Sequence, residues 1–411
     1  MVALRDCRER LPPFWRRYWL LRCATVGIVL AAILTACSTE DASAANKSQV
    51  RTAVALSKLI ETRFPRWDSN HDGSLDVQEV NAQIESVSVR GPEAALMVAI
   101  FRQLLGGGKG DHSSVTRQEL LQAAGDAKFA KAVQNLSRKV TTLDRRLFLD
   151  GDPNLVSFHQ GRVGDCYLLA AIAAAVNRDP QAVRSMIHPA KNNEFEVVFG
   201  DGQVIHAPAV TDGELLLGSR VDRTHGIWLT VLEKAFGIIR ARNKAKKSGK
   251  PRDAQPVVPE ELIGGGDPAQ IISLLTGHKT KRARSSDTAQ AKPKGPVPLS
   301  AQQFHELLAR LVRDRRLICT GIGKDKKRPP GIVGGHIYAV LDYDVANRRV
   351  KVFNPWGQTF NPKGAPGLAN GYATAHGQFD VPLDEFRTVF GGVCYETTEP
   401  LHSSKSKSVR N

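Results

Sequence analysis

Apolar positions along the chain change rhythm twice. Val54, Leu56, Leu59 and Ile60 follow one helical face, and AALMVAIFRQLL (94–105) predicts a second amphipathic helix. Tyr167, Leu168, Leu169, Ile172 and Val176 predict a buried helix that opens at Cys166, with Asp165 as its N-cap. Further on the period drops to two. HIYAVLDYD (336–344) reads as a strand, and RRVKVFNPWGQ (348–358) as a second one ending at Asn354. A turn over Asp344 to Asn347 would pair them antiparallel, setting His336 and Asn354 at neighbouring strand ends.

The apolar run Ala24 to Ala36 behaves differently. Six arginines precede it and polar sequence follows closely, so it is too short to span a bilayer and residues 1–36 read as an export signal. Leu34, Thr35, Ala36 and Cys37 resemble a bacterial lipobox, which would lipidate Cys37 and anchor the exported chain in the cell envelope or periplasm. Cleavage after Ala42-Ser43-Ala44 and an uncleaved anchor are the competing readings. Residues 37–50 form a polar tether.

With 411 residues, 42% hydrophobic and 24% charged, the chain can bury two or three ordinary cores. The net charge of +16 gathers in the signal, in two basic inserts near 240–258 and 278–297, and in a tail over 398–411 that reads as disordered. The inserts lack interleaved aromatics for base stacking, so mobile, solvated loops fit them better than a specific nucleic-acid surface. Of six cysteines, Cys7 and Cys23 lie in the signal and Cys37 in the lipobox. Cys166, Cys319 and Cys394 remain, an odd and widely spaced set that leaves at least one thiol free.

DSNHDGSLDVQE (68–79) has the donor order of an EF-hand calcium loop. Asp68, Asn70 and Asp72 supply alternate oxygens, Ser74 a carbonyl, Asp76 a water-mediated contact and Glu79 a bidentate carboxylate, while Gly73 permits the sharp turn. Leu75 would pair with a neighbouring loop, found at GGGKGDHSSVTRQE (106–119). That second hand is degenerate, since Gly108 and Gly110 stand where carboxylates belong. Glu119 is then a structural helix charge, with a ligand role as the alternative. An EF-hand pair is therefore expected over 51–140.

QGRVGDCYLLAAI (160–172) carries the candidate chemistry. A thiol in the first turn of a helix feels the positive dipole end, which favours thiolate. Gly161 and Gly164 let backbone approach a substrate, and Gln160 could aim its amide at an oxyanion beside the Cys166 N–H. Taken alone, Cys166 reads first as inert core, His336 as a solvated or satisfied polar residue and Asn354 as turn chemistry with Pro355. A nucleophile needs a base and the base an orienter, which the three residues together supply.

Together with GGHIYAVLDY and FNPWG, that stretch resembles the catalytic core of the calpain family of cysteine proteases, in the order Cys, His, Asn. VTDGELLLGSR, IWLTVLEKAFG, ELIGGGDPAQIISLLTG and GQFDVPLDEF resemble further core segments in the same order, so the likeness covers 145–397. It implies a papain-like, two-lobed α+β core, here preceded by a small all-α EF-hand module. Cys166 would be the nucleophile, His336 the base, Asn354 its orienter and Gln160 the oxyanion donor, with Trp356 over the cleft. Glu233 and Lys234 would make a buried charge interaction. The chain departs from the family at several points, the loop after Glu214 being short among them. Tyr167 replaces a tryptophan, Ser157 stands where an aspartate is expected, and the EF-hands precede the core. The implied function is a cysteine endopeptidase acting on protein or peptide substrates, with calcium as cofactor. A catalytically silent scaffold and a calcium-sensing surface lipoprotein are the alternatives.

Overall fold

The computed structural model describes residues 50–106, 113–149, 151–156, 158–161, 164–219, 226–248, 264–285, 298–324 and 327–401. The signal, Cys37, the tether up to residue 49, Gly108, Gly110, Ser157 and the tail beyond residue 401 lie outside them. Among the described residues no helix is long and apolar enough to cross a membrane.

The chain first builds a helical unit. Helix α1 (50–67) buries Leu56, Ile60, Phe64 and Trp67, and the Trp67 indole donates to Glu93 (3.0 Å). Strand β1 (Ser74–Asp76) then pairs antiparallel with β2 (Ser114–Thr116), with Leu75 opposite Val115. Each strand runs straight into a helix, α2 (Val77–Ile84) and α4 (Arg117–Gly125), and each helix is closed by a capping box. In the second box Glu119 accepts from the Thr116 N–H and hydroxyl, so its carboxylate serves the cap. Helices α3 (Pro92–Ala99) and α5 (Ala127–Thr141) complete the unit, α3 continuing into one π-helical turn at Ile100–Leu104.

The remainder is a mixed α+β body with a curled sheet. Helix α6 (Cys166–Arg178) is buried along almost its whole length, from Tyr167 to Val176. It packs with α7 (Pro180–Arg184) and the three-stranded sheet β3 (Ile187–Pro189), β4 (Phe195–Val198) and β5 (Val204–Ala207). Helices α9 (Trp228–Ser248) and α10 (Pro268–Thr276) add to the same core.

A seven-stranded sheet carries the other half. Its strands are β6 (His278–Ser285), β7 (Pro298–Leu299), β8 (Ile318–Ile322), β9 (His336–Asp344), β10 (Arg349–Phe353), β11 (Gln378–Pro382) and β12 (Gly392–Pro400), in the order β11-β10-β9-β8-β12-β6-β7. Helix α11 (Ala301–Arg313) covers it with Phe304, Leu307, Leu308 and Leu311, and α12 (Leu383–Val389) with Phe386.

Between the units lies the short helix α8 (Asp212–Leu217), which sends Leu215 into the α6 core and Leu216 and Leu217 into the helical unit.

The inserts differ from the sequence reading. The first begins as helix, since α9 continues to Ser248. The second opens as strand β6, paired with β12 from His278 to Arg284. Its lysines and arginines concealed the alternation: Ala283 and Ser285 are buried while Lys279 and Lys281 stand in solvent. The β12 backbone satisfies hydrogen bonds that a solvated loop would leave to water. Residues 249–263 and 286–297 lie outside the described residues.

Candidate active site

Cys166 is the first residue of α6 and is partly buried. Asp165 holds the N-cap position, but its side chain makes no cap bond, contrary to the sequence expectation. It turns inward instead, where its Oδ1 accepts from Gln160 Nε2 (2.9 Å). The thiol also departs from expectation. Burial pushes its pKa up, and the nearby Asp165 carboxylate adds to the rise, against the lowering effect of the Ile337 backbone N–H that it accepts. Desolvation of a thiolate outweighs the helix dipole here.

His336 opens β9 and is buried. Its Nε2 meets Asn354 Oδ1 at 2.8 Å, and the same oxygen accepts the Trp356 N–H (3.0 Å). An oxygen taking a backbone N–H must be the acceptor toward the ring as well, so Nε2 carries the proton and Nδ1 keeps its lone pair. The imidazole lies between Tyr338 (centroids 4.9 Å apart) and the half-exposed Trp356 (5.0 Å). Burial lowers its pKa to about 4, and the Asn354 bond opposes that shift.

Sheet register explains why His336 and Asn354 meet. β9 and β10 pair antiparallel from Asp344 opposite Arg349 to Ala339 opposite Phe353, with a bulge between Lys351 and Val352. Asn354 follows directly, and its N–H donates to Gly377 O (2.8 Å). The Gln160 N–H donates to Pro355 O (2.7 Å), strapping the segment before α6 to the Asn-Pro-Trp turn.

The structure therefore brings Gln160, Cys166, His336, Asn354 and Trp356 to one place, where the α6 start meets the start of β9. Among the described residues no hydrogen bond joins the Cys166 thiol to the imidazole. The thiol instead takes the N–H of Ile337, next to His336. Cys319 and Cys394 lie elsewhere, buried opposite each other on β8 and β12.

Two carboxyls behind the site escaped the sequence reading in this role. Asp165 and Glu233 are both buried, and burial raises the pKa of both. The apolar WLTVLEKAF setting of Glu233 was the available signal, read there only as a buried charge interaction. Its neighbour Lys234 does make such a pair, with Glu214 (2.9 Å).

The EF-hand-like loop lies in the helical unit. Asp68 accepts the N–H groups of Asp72 (3.1 Å) and Gly73 (3.0 Å), Asn70 Oδ1 accepts that of Asp72 (2.9 Å), and Asp72 accepts that of Ser74 (2.9 Å). Glu79 accepts from Ser69, Asn70 and Asp76, and Asp76 caps α2. Gly73 has φ +84°, the positive value this turn requires. The carboxylates close the loop on itself, and among the described residues no three His, Cys, Asp or Glu side chains gather as a metal cluster. The donors are all hard oxygens, a set that fits calcium in chemistry.

A cysteine thus opens a helix beside the strand whose first residue is a histidine held by an asparagine. The family model of the calpain family cysteine protease matches residues 114–365, and the chain belongs to that family. Among curated proteins it is similar to Calpain-9 of Homo sapiens, 23% identical over 233 residues, and to Calpain-9 of Rattus norvegicus, 23% identical over 239 residues. Each match covers 51% of this chain but only 30% of the relative. A solved structure, PepW from Lactobacillus rhamnosis HN001, aligns over 69% of this chain and 92% of that one, at 11% identity and a TM-score of 0.26.

Proposed function

We propose that the protein is a cysteine endopeptidase with a papain-like, two-lobed core, which cleaves protein or peptide substrates through an acyl-enzyme. The observation that carries this reading is the His336–Asn354 bond of 2.8 Å, set one residue from the N–H that holds the Cys166 thiol. In the resting site both partners are neutral, because burial raises the thiol pKa and lowers the imidazole pKa. The thiol proton passes to His336 Nδ1 as Sγ attacks the carbonyl carbon. The resulting oxyanion takes the Cys166 N–H and the Gln160 amide. His336 then protonates the leaving amine; the neutral ring next takes a proton from a water that attacks the thioester carbon, and returns it to the departing Cys166 sulfur as the acid product leaves. Asn354 keeps the ring in the tautomer that these transfers need.

In the same reading the N-terminal helical unit is an EF-hand pair with one metal site. Asp68, Asn70, Asp72, Ser74, Asp76 and Glu79 would hold calcium, which supplies positive charge to a loop of carboxylates. The chain is exported and anchored through Cys37.

Incubation with casein and iodoacetamide tests the protease. The expected result is hydrolysis that stops as label accumulates on Cys166, and inhibition that tracks label on Cys319 or Cys394 would overturn the assignment. Calcium is tested by thermal unfolding. At a hundred times its dissociation constant it should stabilise the fold by about 2.7 kcal/mol, and Asp68→Ala should remove that gain. An unchanged melting temperature in the wild type would dismiss the site.

A further inference from the structure

Two of the described thiols stand outside the Cys-His-Asn site and face each other across the sheet. Cys319 on β8 and Cys394 on β12 are directly opposed in the antiparallel register, and both are buried. Directly opposed residues share one face of a sheet, with Cα atoms about 4.5–5.5 Å apart, inside the span of about 4.4–6.8 Å that a disulfide bridges.

The same row continues on either side of the pair. Ala339 of β9 stands opposite Cys319, and Arg282 of β6 stands opposite Cys394. One thiol therefore has a methyl group as its outer neighbour and the other a guanidinium. A cation beside a thiol favours the thiolate. The pKa of Cys394 is drawn down by the Cys319 thiol and by Arg282, against burial, and that of Cys319 is pushed up by the Cys394 contact and by burial.

The pair is buried but not sealed. A cavity of about 460 Å³ reaches both residues and is also lined by Gly266, Asp267, Arg282, Gly321 and Ile337. Gly266 and Arg282 are exposed, so the cavity opens to solvent on their side. Arg282 is held there by an ion pair with Asp267, which caps α10 by accepting the Ala269 N–H (2.9 Å). Ile337 supplies the N–H that meets the Cys166 thiol, so the cavity and the site share that residue.

We propose that Cys319 and Cys394 are a reactive dithiol, which small disulfides entering this cavity convert to a covalent bridge between β8 and β12. The Cys394 thiolate attacks one sulfur of the incoming disulfide, forming a mixed disulfide as the other sulfur departs as thiolate. The Cys319 sulfur then attacks the Cys394 sulfur and expels the second small thiolate. Two protein thiols are oxidised, one small disulfide is reduced to two thiols, and both protons end on the released sulfurs. The bridge closes a loop over residues 320–393, which holds His336 and Asn354, and leaves Cys166 unbridged. Such bridges persist in oxidising compartments, the setting that export through residues 1–36 would give. Their formation does not depend on the protease reading.

The test incubates the full chain with excess hydroxyethyl disulfide at mildly alkaline pH, then maps its peptides by mass spectrometry without reduction. Cys319 and Cys394 should appear in one cross-linked peptide pair that dithiothreitol separates. The bridged chain should melt about 5–10 °C higher, because closing a long loop restricts the unfolded chain. Cys319→Ala should stop at the first step, keeping the small thiol on Cys394 and gaining no melting temperature. Arg282→Gln should slow the bridge by about 3-fold, since the thiolate population falls faster than its nucleophilicity rises.

The wild-type map decides without any variant. Both thiols recovered free, while the urea-unfolded chain reacts in the same time, would make the pair inert core and overturn the proposal, and so would cross-links from either thiol to Cys37 or Cys166. An unchanged melting temperature in a fully bridged chain would overturn the clamp. Equally fast capture of the small thiol by Cys319 in Cys394→Ala would overturn the order of attack.

Discussion

Cys166→Ala should abolish peptide hydrolysis while leaving the fold intact. Removing the nucleophile of a comparable covalent mechanism costs on the order of a million-fold in kcat, so only background turnover is expected. The fold should tolerate the change. Cys166 is the first helical residue, alanine suits a helix, and the partly buried thiol meets only backbone N–H groups, that of Ile337 foremost. Melting temperature should therefore stay within a few degrees of wild type, a shift of about 1 kcal/mol or less. The variant should still bind substrate, which a fluorescent peptide titration would show. Undiminished hydrolysis by the purified variant would place the chemistry elsewhere. Full loss with full folding would also remove the silent-scaffold alternative, since a scaffold has no turnover to lose.

What could be read in the sequence was local. The alternation in HIYAVLDYD, the Asp344–Asn347 turn and the strand ending at Asn354 were enough to pair β9 with β10, because register in a hairpin is fixed by its turn. The pairing of Leu75 with Val115 was equally legible, since both stand at the eighth place of their loops. The long-range part was not. Asp165 is a good cap by residue type, but in the fold its side chain is wholly buried and its Oδ1 accepts from Gln160 instead of capping the helix. Helix position alone argues for an acidic thiol, yet the packing that desolvates Cys166 comes from β9 and cannot be seen in the segment around it. Likewise, Leu216 and Leu217 look like core of their own segment. Only the fold reveals that they fill the helical unit and make α8 a shared element. Burial is a property of the assembled chain, and these three misreadings lie where burial reversed a local preference.

A large effect of pH on stability is expected from His336. Burial holds its folded pKa near 4, below the 6.5 of an unfolded histidine. Between those values the unfolded chain binds a proton that the folded chain refuses, so stability falls as pH falls. The contribution is fully present above pH 6.5 and is lost progressively down to about pH 4, a difference of about 3 kcal/mol. Other carboxyls titrate over the same range, so wild type must be compared with His336→Gln, whose amide can still donate to Asn354 Oδ1 but takes up no proton. The variant should start less stable at pH 7.5, having lost ring packing against Tyr338 and Trp356. In urea unfolding at successive pH values the two stabilities should then converge, by about 1.4 kcal/mol for each pH unit between 6 and 4.5. Parallel curves would mean that the imidazole takes up its proton in the folded chain as readily as in the unfolded one. The site would then rest as an ion pair, because a charged ring at this depth needs a thiolate beside it, and the neutral resting state of the mechanism would have to be abandoned.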